Sequence, residues 1–239
     1  MRIRIFLILS LLLCSVLTWG QTYGKTYLVS VGIADYPETS NDLNLPVKNA
    51  IDIISLYKRN GIDKYHYLFD KDATAANIQQ AVSDVFQHAK EEDLVVLYFC
   101  GHGLNGGFCG YDENLSYINL RKLIGKCKAK RKVIFADTCH SGSLRTKERT
   151  KEKFDGDILL FLSSRPNEVS WEFSFKENSA FTYSLLKGLR GKADINRNRV
   201  ITAKELFDYV SKEVKNITHD SQHPVMWGNF DDNMCLMKW

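Results

Sequence analysis

The sequence predicts an open α/β domain in three layers, with a mostly parallel central sheet of about six strands and helices on both faces. Three observations carry that expectation. Short apolar, β-branched runs alternate with longer stretches whose apolar residues recur at helical spacing, the pattern of parallel strands joined by right-handed crossovers. Two of the apolar runs, Leu94 to Cys100 and Arg131 to Ala136, break abruptly into glycine and small polar residues, as buried strands do on reaching a sheet edge. Past an apolar leader about 220 residues remain, enough for one full core, and no internal repeat, low-complexity tract or linker divides them.

In chain order, Lys25 to Ile33 reads as the first strand and Ala34-Asp35-Tyr36-Pro37 as a turn. Pro46 opens a helix with Val47, Ala50, Ile51, Ile54 and Leu56 on its spacing, and Asn60-Gly61 closes it. Tyr65 to Phe69 is a second strand, and Thr74 caps a helix whose inner face is Ile78, Ala81, Val82, Val85 and Phe86. After the third strand, Leu94 to Cys100, the segments bracketed by Asn105-Gly106-Gly107 and Asp112-Glu113-Asn114 read as a hairpin. A helix over Ile118 to Cys127 crosses to the fourth strand, Arg131 to Ala136. Asp157 to Ser163 is the fifth, Ser179 to Leu189 and Thr202 to Val214 are helices, and the tail from Trp227 to Trp239 adds an edge strand.

Residues 1–20 read as a secretory signal peptide: Arg2 and Arg4, an apolar core from Ile5 to Leu17, then Thr18-Trp19-Gly20. The domain is then residues 21–239, cut near Gly20-Gln21 and secreted or periplasmic. The apolar core is shorter than a membrane span and no later segment reaches that length, so no permanent membrane anchor is expected. Losing Arg2 and Arg4 lowers the formal net charge from +4 to +2, which argues against a general nucleic-acid binder. A monomer is favoured. The remaining cysteines, Cys100, Cys109, Cys127, Cys139 and Cys235, show no CxxC and no regular spacing, so neither a disulfide framework nor a zinc site is signalled.

Two strand ends carry the chemistry. The third strand delivers Gly101-His102-Gly103, and the fourth delivers Asp137-Thr138-Cys139-His140-Ser141-Gly142. If those strands are parallel neighbours, an imidazole and a thiol emerge on one sheet edge, where open α/β sheets place their sites. A thiolate is the nucleophile of cysteine chemistry and an imidazole its usual activator, so His102 and Cys139 are the candidate catalytic pair. The backbone N–H groups of Gly103 and Cys139 are candidate oxyanion donors, while no third side chain stands out to orient the imidazole. Two other uses compete: a catalytically silent domain that binds a partner protein or peptide in the same cleft, and a redox or metal function of Cys100, His102 and Cys139.

These motifs resemble those of the caspase and metacaspase superfamily of cysteine peptidases, which also holds legumain, clostripain and gingipain. The resemblance runs from Lys25 to about Tyr209 and takes in Ile158-Leu159-Leu160-Phe161-Leu162-Ser163-Ser164 and Ala180-Phe181-Thr182-Tyr183. His102 and Cys139 stand 37 residues apart (139 − 102), against roughly 50 in caspases. The resemblance implies a caspase-like three-layer sandwich and hydrolysis of protein or peptide substrates; no cofactor is expected to be required, with calcium the candidate if one is. It also implies that Asp137, two residues before the cysteine, lines the specificity pocket and favours Arg or Lys ahead of the scissile bond. A buried carboxylate does want a cation, although a strand-end aspartate also caps local backbone N–H groups. The family's second pocket acid falls at Asn49, an amide that weakens the pocket's negative charge, and Asp52 lies one helical turn on, where a solvated face is expected. Cys100 falls where the family often has serine and is either a pocket wall or a core residue.

Two loops complete the reading. The segment 143–156 is basic and nearly devoid of apolar residues, a mobile solvated loop; Arg145, Lys147, Arg149, Lys151 and Lys153 are candidate self-cleavage points if the pocket takes Arg or Lys. Asp194 to Glu205 has EF-hand spacing, with Asp194, Asn196, Asn198, the Val200 carbonyl, Thr202 and Glu205 as oxygen ligands for calcium. Against that, Arg199 stands where the loop wants glycine, and Arg197, Arg199 and Lys204 outnumber the two carboxylates. The competing assignment is an ordered turn capped by Thr202 with Glu205 closing a capping box. Metacaspases often bind calcium through aspartates after the histidine strand, and here Asp112 and Glu113 have no paired aspartates beyond them.

Overall fold

The computed structural model describes residues 24–104, 106–138, 158–165 and 177–239. The predicted leader, Cys139 and the basic loop with its five candidate cleavage points lie outside the described residues. The chain enters on β1 (Thr26–Gly32) and crosses through α1 (Pro46–Arg59) to β2 (Lys64–Phe69). It then returns through α2 (Ala75–Phe86) to β3 (Leu94–Cys100). Three short strands follow, β4 (Gly103–Leu104), β5 (Gly107–Cys109) and β6 (Asn114–Ser116), and α3 (Tyr117–Gly125) leads to β7 (Arg131–Asp137). The remainder comprises β8 (Ile158–Leu162), α4 (Ala180–Lys187), β9 (Val200–Thr202), α5 (Ala203–Ile217), β10 (Val225–Trp227) and β11 (Cys235–Lys238).

Among the described residues six strands form the central sheet in the order β10-β8-β7-β3-β1-β2, with β10 antiparallel to an otherwise parallel set. The helices α1, α4 and α5 bury their apolar stripes on one face, and α2 and α3 bury theirs on the other. This is the predicted three-layer sandwich. Every residue of β3 is buried, which is why its apolar run shows no alternation. Local chemistry places the helix starts as expected. Pro46 occupies the first turn of α1, the Thr74 hydroxyl accepts the Asn77 N–H at 3.1 Å, and Thr202 with Glu205 forms the capping box of α5.

Two elements differ from expectation. Asn114 opens a third strand instead of closing a hairpin, because Leu115 is buried opposite Phe108 and draws the segment into the small sheet β4-β5-β6. The edge strand predicted in the tail is β10, ending at Trp227. Gly228, at φ 132°, then turns the chain away, and Cys235–Lys238 pairs with β9 in a separate two-stranded sheet.

The parallel registers align Gly32, Cys100 and Asp137 in one row across β1, β3 and β7. Gly32 holds that row against α1, since a Cβ there would lie 2.5 Å from the Pro46 carbonyl oxygen. Gly32→Ala is therefore expected to cost about 2 kcal/mol of stability through forced displacement of backbone. Urea denaturation checks it, and an unchanged midpoint would refute the close approach.

Candidate active site

The level strand ends bring His102 and the Asp137–Thr138 segment that precedes Cys139 to one edge. Cys100 pairs with Asp137, so His102 and Cys139 each follow by two residues a register partner on adjacent strands, which lie about 4.8 Å apart. The Gly101 N–H also reaches the Asp137 carbonyl at 3.4 Å, tying the two chains together as they leave the sheet.

The imidazole is oriented by groups that carry no side-chain signature. Its Nε2 lies 2.7 Å from the Asn41 carbonyl oxygen, which can only accept, so Nε2 carries the proton and donates it there. Nδ1 is left as the nitrogen able to take a proton. The His102 backbone N–H donates to the Tyr36 hydroxyl at 2.9 Å, and the two rings lie 4.8 Å apart. Burial raises the Tyr36 phenol above its ordinary range, so it stays protonated and donates onward to the Cys109 carbonyl at 3.5 Å. Gly101 makes room for this contact, since a Cβ on it would sit 2.7 Å from the Tyr36 oxygen. The loop bearing Tyr36 and Asn41 is itself held by two carboxylates. Asp70 accepts the N–H groups of Ala34 and Asp35 at 2.8 and 3.0 Å, and Asp42 accepts that of Tyr36 at 3.0 Å.

Thr138, directly before the predicted nucleophile, is clamped to the end of β8. Its N–H donates to the Ser163 hydroxyl at 3.2 Å, and that hydroxyl donates to the Thr138 carbonyl at 3.0 Å. The Gln222 amide holds the Ser163 carbonyl in turn at 2.8 Å.

Asp137, Asn49 and Cys100 come together beneath this edge in one buried polar network. Asp137 is only 3 % exposed, and its Oδ2 accepts from the hydroxyls of Ser179 and, at 2.6 Å, Thr182. Among the described residues these two hydroxyls of the α4 amino terminus meet it. Thr182 accepts from the Tyr98 phenol at 2.6 Å, which burial keeps well above its ordinary range. Ser179 accepts from the Asn49 amide at 3.1 Å, whose other hydrogen reaches the Cys100 sulfur at 3.4 Å. Cys100 is thus both part of the core and a wall of this network. The Asn49 oxygen accepts from Asn178 at 3.0 Å, and Asn178 also reaches Asp52 at 2.8 Å. Asp52, expected on a solvated face, is therefore half-buried and joined to the network, with Lys48 paired to it at 2.7 Å.

The remaining sequence-predicted residues lie elsewhere. Gly103 opens β4 opposite Phe108, beside His102. Asp112 caps α2, accepting the Ala75 N–H at 2.8 Å. In the predicted calcium loop, Asp194 accepts the N–H groups of Asn198 and Arg199 at 3.1 and 2.9 Å, and Asn198 accepts that of Val200 at 2.8 Å. Glu205 takes Asn196 on one oxygen, at 2.9 Å, and Thr202 on the other. These oxygens are hydrogen-bonded within their own loop.

Hydrogen supply decides why residue 49 is an amide. Ser179 gives its single hydroxyl hydrogen to Asp137 and accepts both the Thr182 N–H at 3.3 Å and the Asn49 amide, so a carboxylate at position 49 would set an acceptor against an oxygen with no hydrogen left to give. Asn49→Asp is accordingly expected to lose about 3 kcal/mol of stability, measured by urea denaturation at neutral pH, by burying a second negative charge close to that of Asp137. A neutral outcome would show that the amide is not required.

Comparison with known proteins agrees with this architecture. A family model described as the caspase domain matches residues 26–234. Among solved structures, caspase-1 from Spodoptera frugiperda superposes with a TM-score of 0.70 at 14 % identity, covering 90 % of this chain and 91 % of that one. Protein GSU0716 from Geobacter sulfurreducens superposes with a TM-score of 0.66 at 19 % identity, covering 87 % and 94 %. No curated protein sequence matches the chain.

Proposed function

The chain belongs to the caspase-domain family, and on that premise we propose that it is a cysteine endopeptidase acting through His102 and Cys139. The observation that carries this reading is the β3–β7 register, which sets both residues two positions beyond a paired row. Nδ1 of His102 takes the thiol proton, the Cys139 sulfur adds to the peptide carbonyl, and the N–H groups of Gly103 and Cys139 receive the oxyanion. The imidazolium returns its proton to the leaving amine, and water, deprotonated by the same ring, releases the thioester as a free acid. Throughout, the Asn41 carbonyl keeps the Nε2 hydrogen engaged, so the ring stays aimed as its charge changes.

Asp137 favours Arg or Lys ahead of the scissile bond, a preference supported by its buried carboxylate beside Cys100 and Asn49. The basic loop after Cys139 is the enzyme's own substrate, and the leader directs the protein to the outside of the cell or to a periplasm. The Asp194 to Glu205 loop works as a capped turn, and catalysis needs no metal.

Assays on fluorogenic peptides ending in Arg, Lys or Asp test the chemistry. Turnover is expected after Arg and Lys, falling by roughly a thousandfold or more in Cys139→Ala and His102→Ala. Folded wild type that cuts none of them refutes the peptidase reading, while cleavage after Asp alone refutes only the role given to Asp137. Intact-mass measurement should find a nick between Arg145 and Lys153 in wild type and none in Cys139→Ala. Added calcium or chelator should leave both the rate and the melting temperature unchanged.

A further inference from the structure

The far end of α4, away from the catalytic edge, carries an amphipathic basic patch. Ile195 is the most exposed large apolar side chain among the described residues, at 71 %, and Trp239 is 45 % exposed. The two belong to one surface. The Trp239 ring packs on Gly191, where an added Cβ would lie 2.9 Å from it, and the Trp239 N–H donates to the Arg199 carbonyl at 3.3 Å. The Asp194 N–H meanwhile donates to the Gly191 carbonyl at 3.2 Å, which brings the loop holding Ile195 against the same turn.

Arg190, Lys192, Arg197, Arg199 and Lys238 flank these two residues in the chain and are all exposed. Of the acids nearby, Asp194 is turned inward onto the N–H groups of Asn198 and Arg199, Asp63 is paired with Lys25 at 2.9 Å, Asp93 is buried, and Glu92 also lines the hollow beside Trp239. Arg197 and Arg199 hold φ of 59° and 64°, the left-handed region that glycine and asparagine favour. The chain keeps two cations there against the preference of the backbone.

We infer that this patch seats the protein on an anionic lipid surface, with Ile195 and Trp239 entering the interface and the five cations meeting phosphate headgroups. Tryptophan favours the headgroup boundary, and clustered arginine and lysine add attraction to acidic lipids. A soluble polyanion would satisfy the cations alone and leave Ile195 and Trp239 in water, so a bilayer fits the whole patch. Such attachment is peripheral, in keeping with the finding that no helix among the described residues is long and apolar enough to span a membrane. It also turns the catalytic edge outward, because α4 starts at the Asp137 network and residues 180–192 rise by roughly 18 Å.

Vesicle sedimentation of residues 21–239, the protein past its proposed leader, tests the inference. The vesicles are phosphatidylglycerol mixed with phosphatidylcholine, or phosphatidylcholine alone, with brominated acyl chains in a parallel set. The protein should bind the acidic vesicles more tightly than the neutral ones. Brominated chains should quench its tryptophan emission, and Trp239→Phe should remove that quenching. Ile195→Ser combined with Arg197→Asn and Arg199→Asn, residues compatible with the loop's backbone, should weaken binding by about tenfold or more. Without the leader and its Trp19 the differences between variants read the patch, and melting temperatures confirm that each is folded. Equal binding to both vesicle types, unchanged binding of the triple variant, quenching that survives Trp239→Phe, or binding of heparin without binding of vesicles would each overturn the inference.

Discussion

A carboxylate enclosed by protein must be met by hydrogen atoms, and the catalytic end of this sheet is arranged around meeting that of Asp137. Ser179 and Thr182 each have one hydroxyl hydrogen, and both give it to Asp137. Each hydroxyl accepts in return, Ser179 from the Asn49 amide and the Thr182 N–H, and Thr182 from the Tyr98 phenol. The Asn49 oxygen accepts from Asn178, which also donates to Asp52 of the surface pair with Lys48. The result is a series of hydrogen bonds that diverges at Asn178, one branch running through Asn49 and Ser179 to the buried charge and the other to the ion pair at the surface. Because its members come from β3, β7, α1 and α4, the same series fixes how those elements sit against one another. The α4 amino terminus adds the favourable end of its dipole to the carboxylate.

The two halves of the proposed dyad are held by different means. The nucleophile's strand end is fixed by side chains: Asp137 to α4, and Thr138 to Ser163. The imidazole is fixed mostly by main-chain groups, through the Asn41 carbonyl and its own N–H on Tyr36. That asymmetry follows from the connections. β7 is flanked by β3 and β8 and lies beneath α4, so hydroxyls surround its end. His102 instead faces the loop after β1, whose regular structure is one short 3-10 turn at Thr39–Asn41 and whose N–H groups are pinned by Asp70 and Asp42.

The same asymmetry decides what could be read from sequence. The apolar runs of β1, β3, β7 and β8 and the helical spacing of α1 and α2 report directly on burial, so the sandwich and the two strand ends were legible. Asn49, Cys100 and Asp137 were legible as a group through a family resemblance, and the structure brings them together. Asn41 was not, because any residue at that position offers the same carbonyl. Ser179 and Thr182 looked only like a helix start; their hydroxyls face Asp137 through pairings between distant segments, which local pattern does not encode. Asn114 reads as a turn residue because its own propensity favours one, whereas the burial of Leu115 beside it decides in favour of a strand.

The loop from Asp194 to Glu205 shows why spacing alone is a weak guide to a cation. An aspartate that opens a tight loop turns its oxygens toward the following N–H groups whether or not an ion sits among them, so one residue pattern serves two purposes. What separates the purposes is the company the oxygens keep. A hard dication favours excess negative charge, and here Arg197 and Arg199 belong to the same turn while Glu205 closes the capping box of α5. Those cations, with Ile195 and Trp239 near them, make the outer surface of the loop amphipathic. One helix, α4, thus has a buried anion at its start and exposed cations past its end, an order that suits its dipole at both ends. The charge distribution that stabilises the helix thereby also gives the molecule two chemically distinct poles.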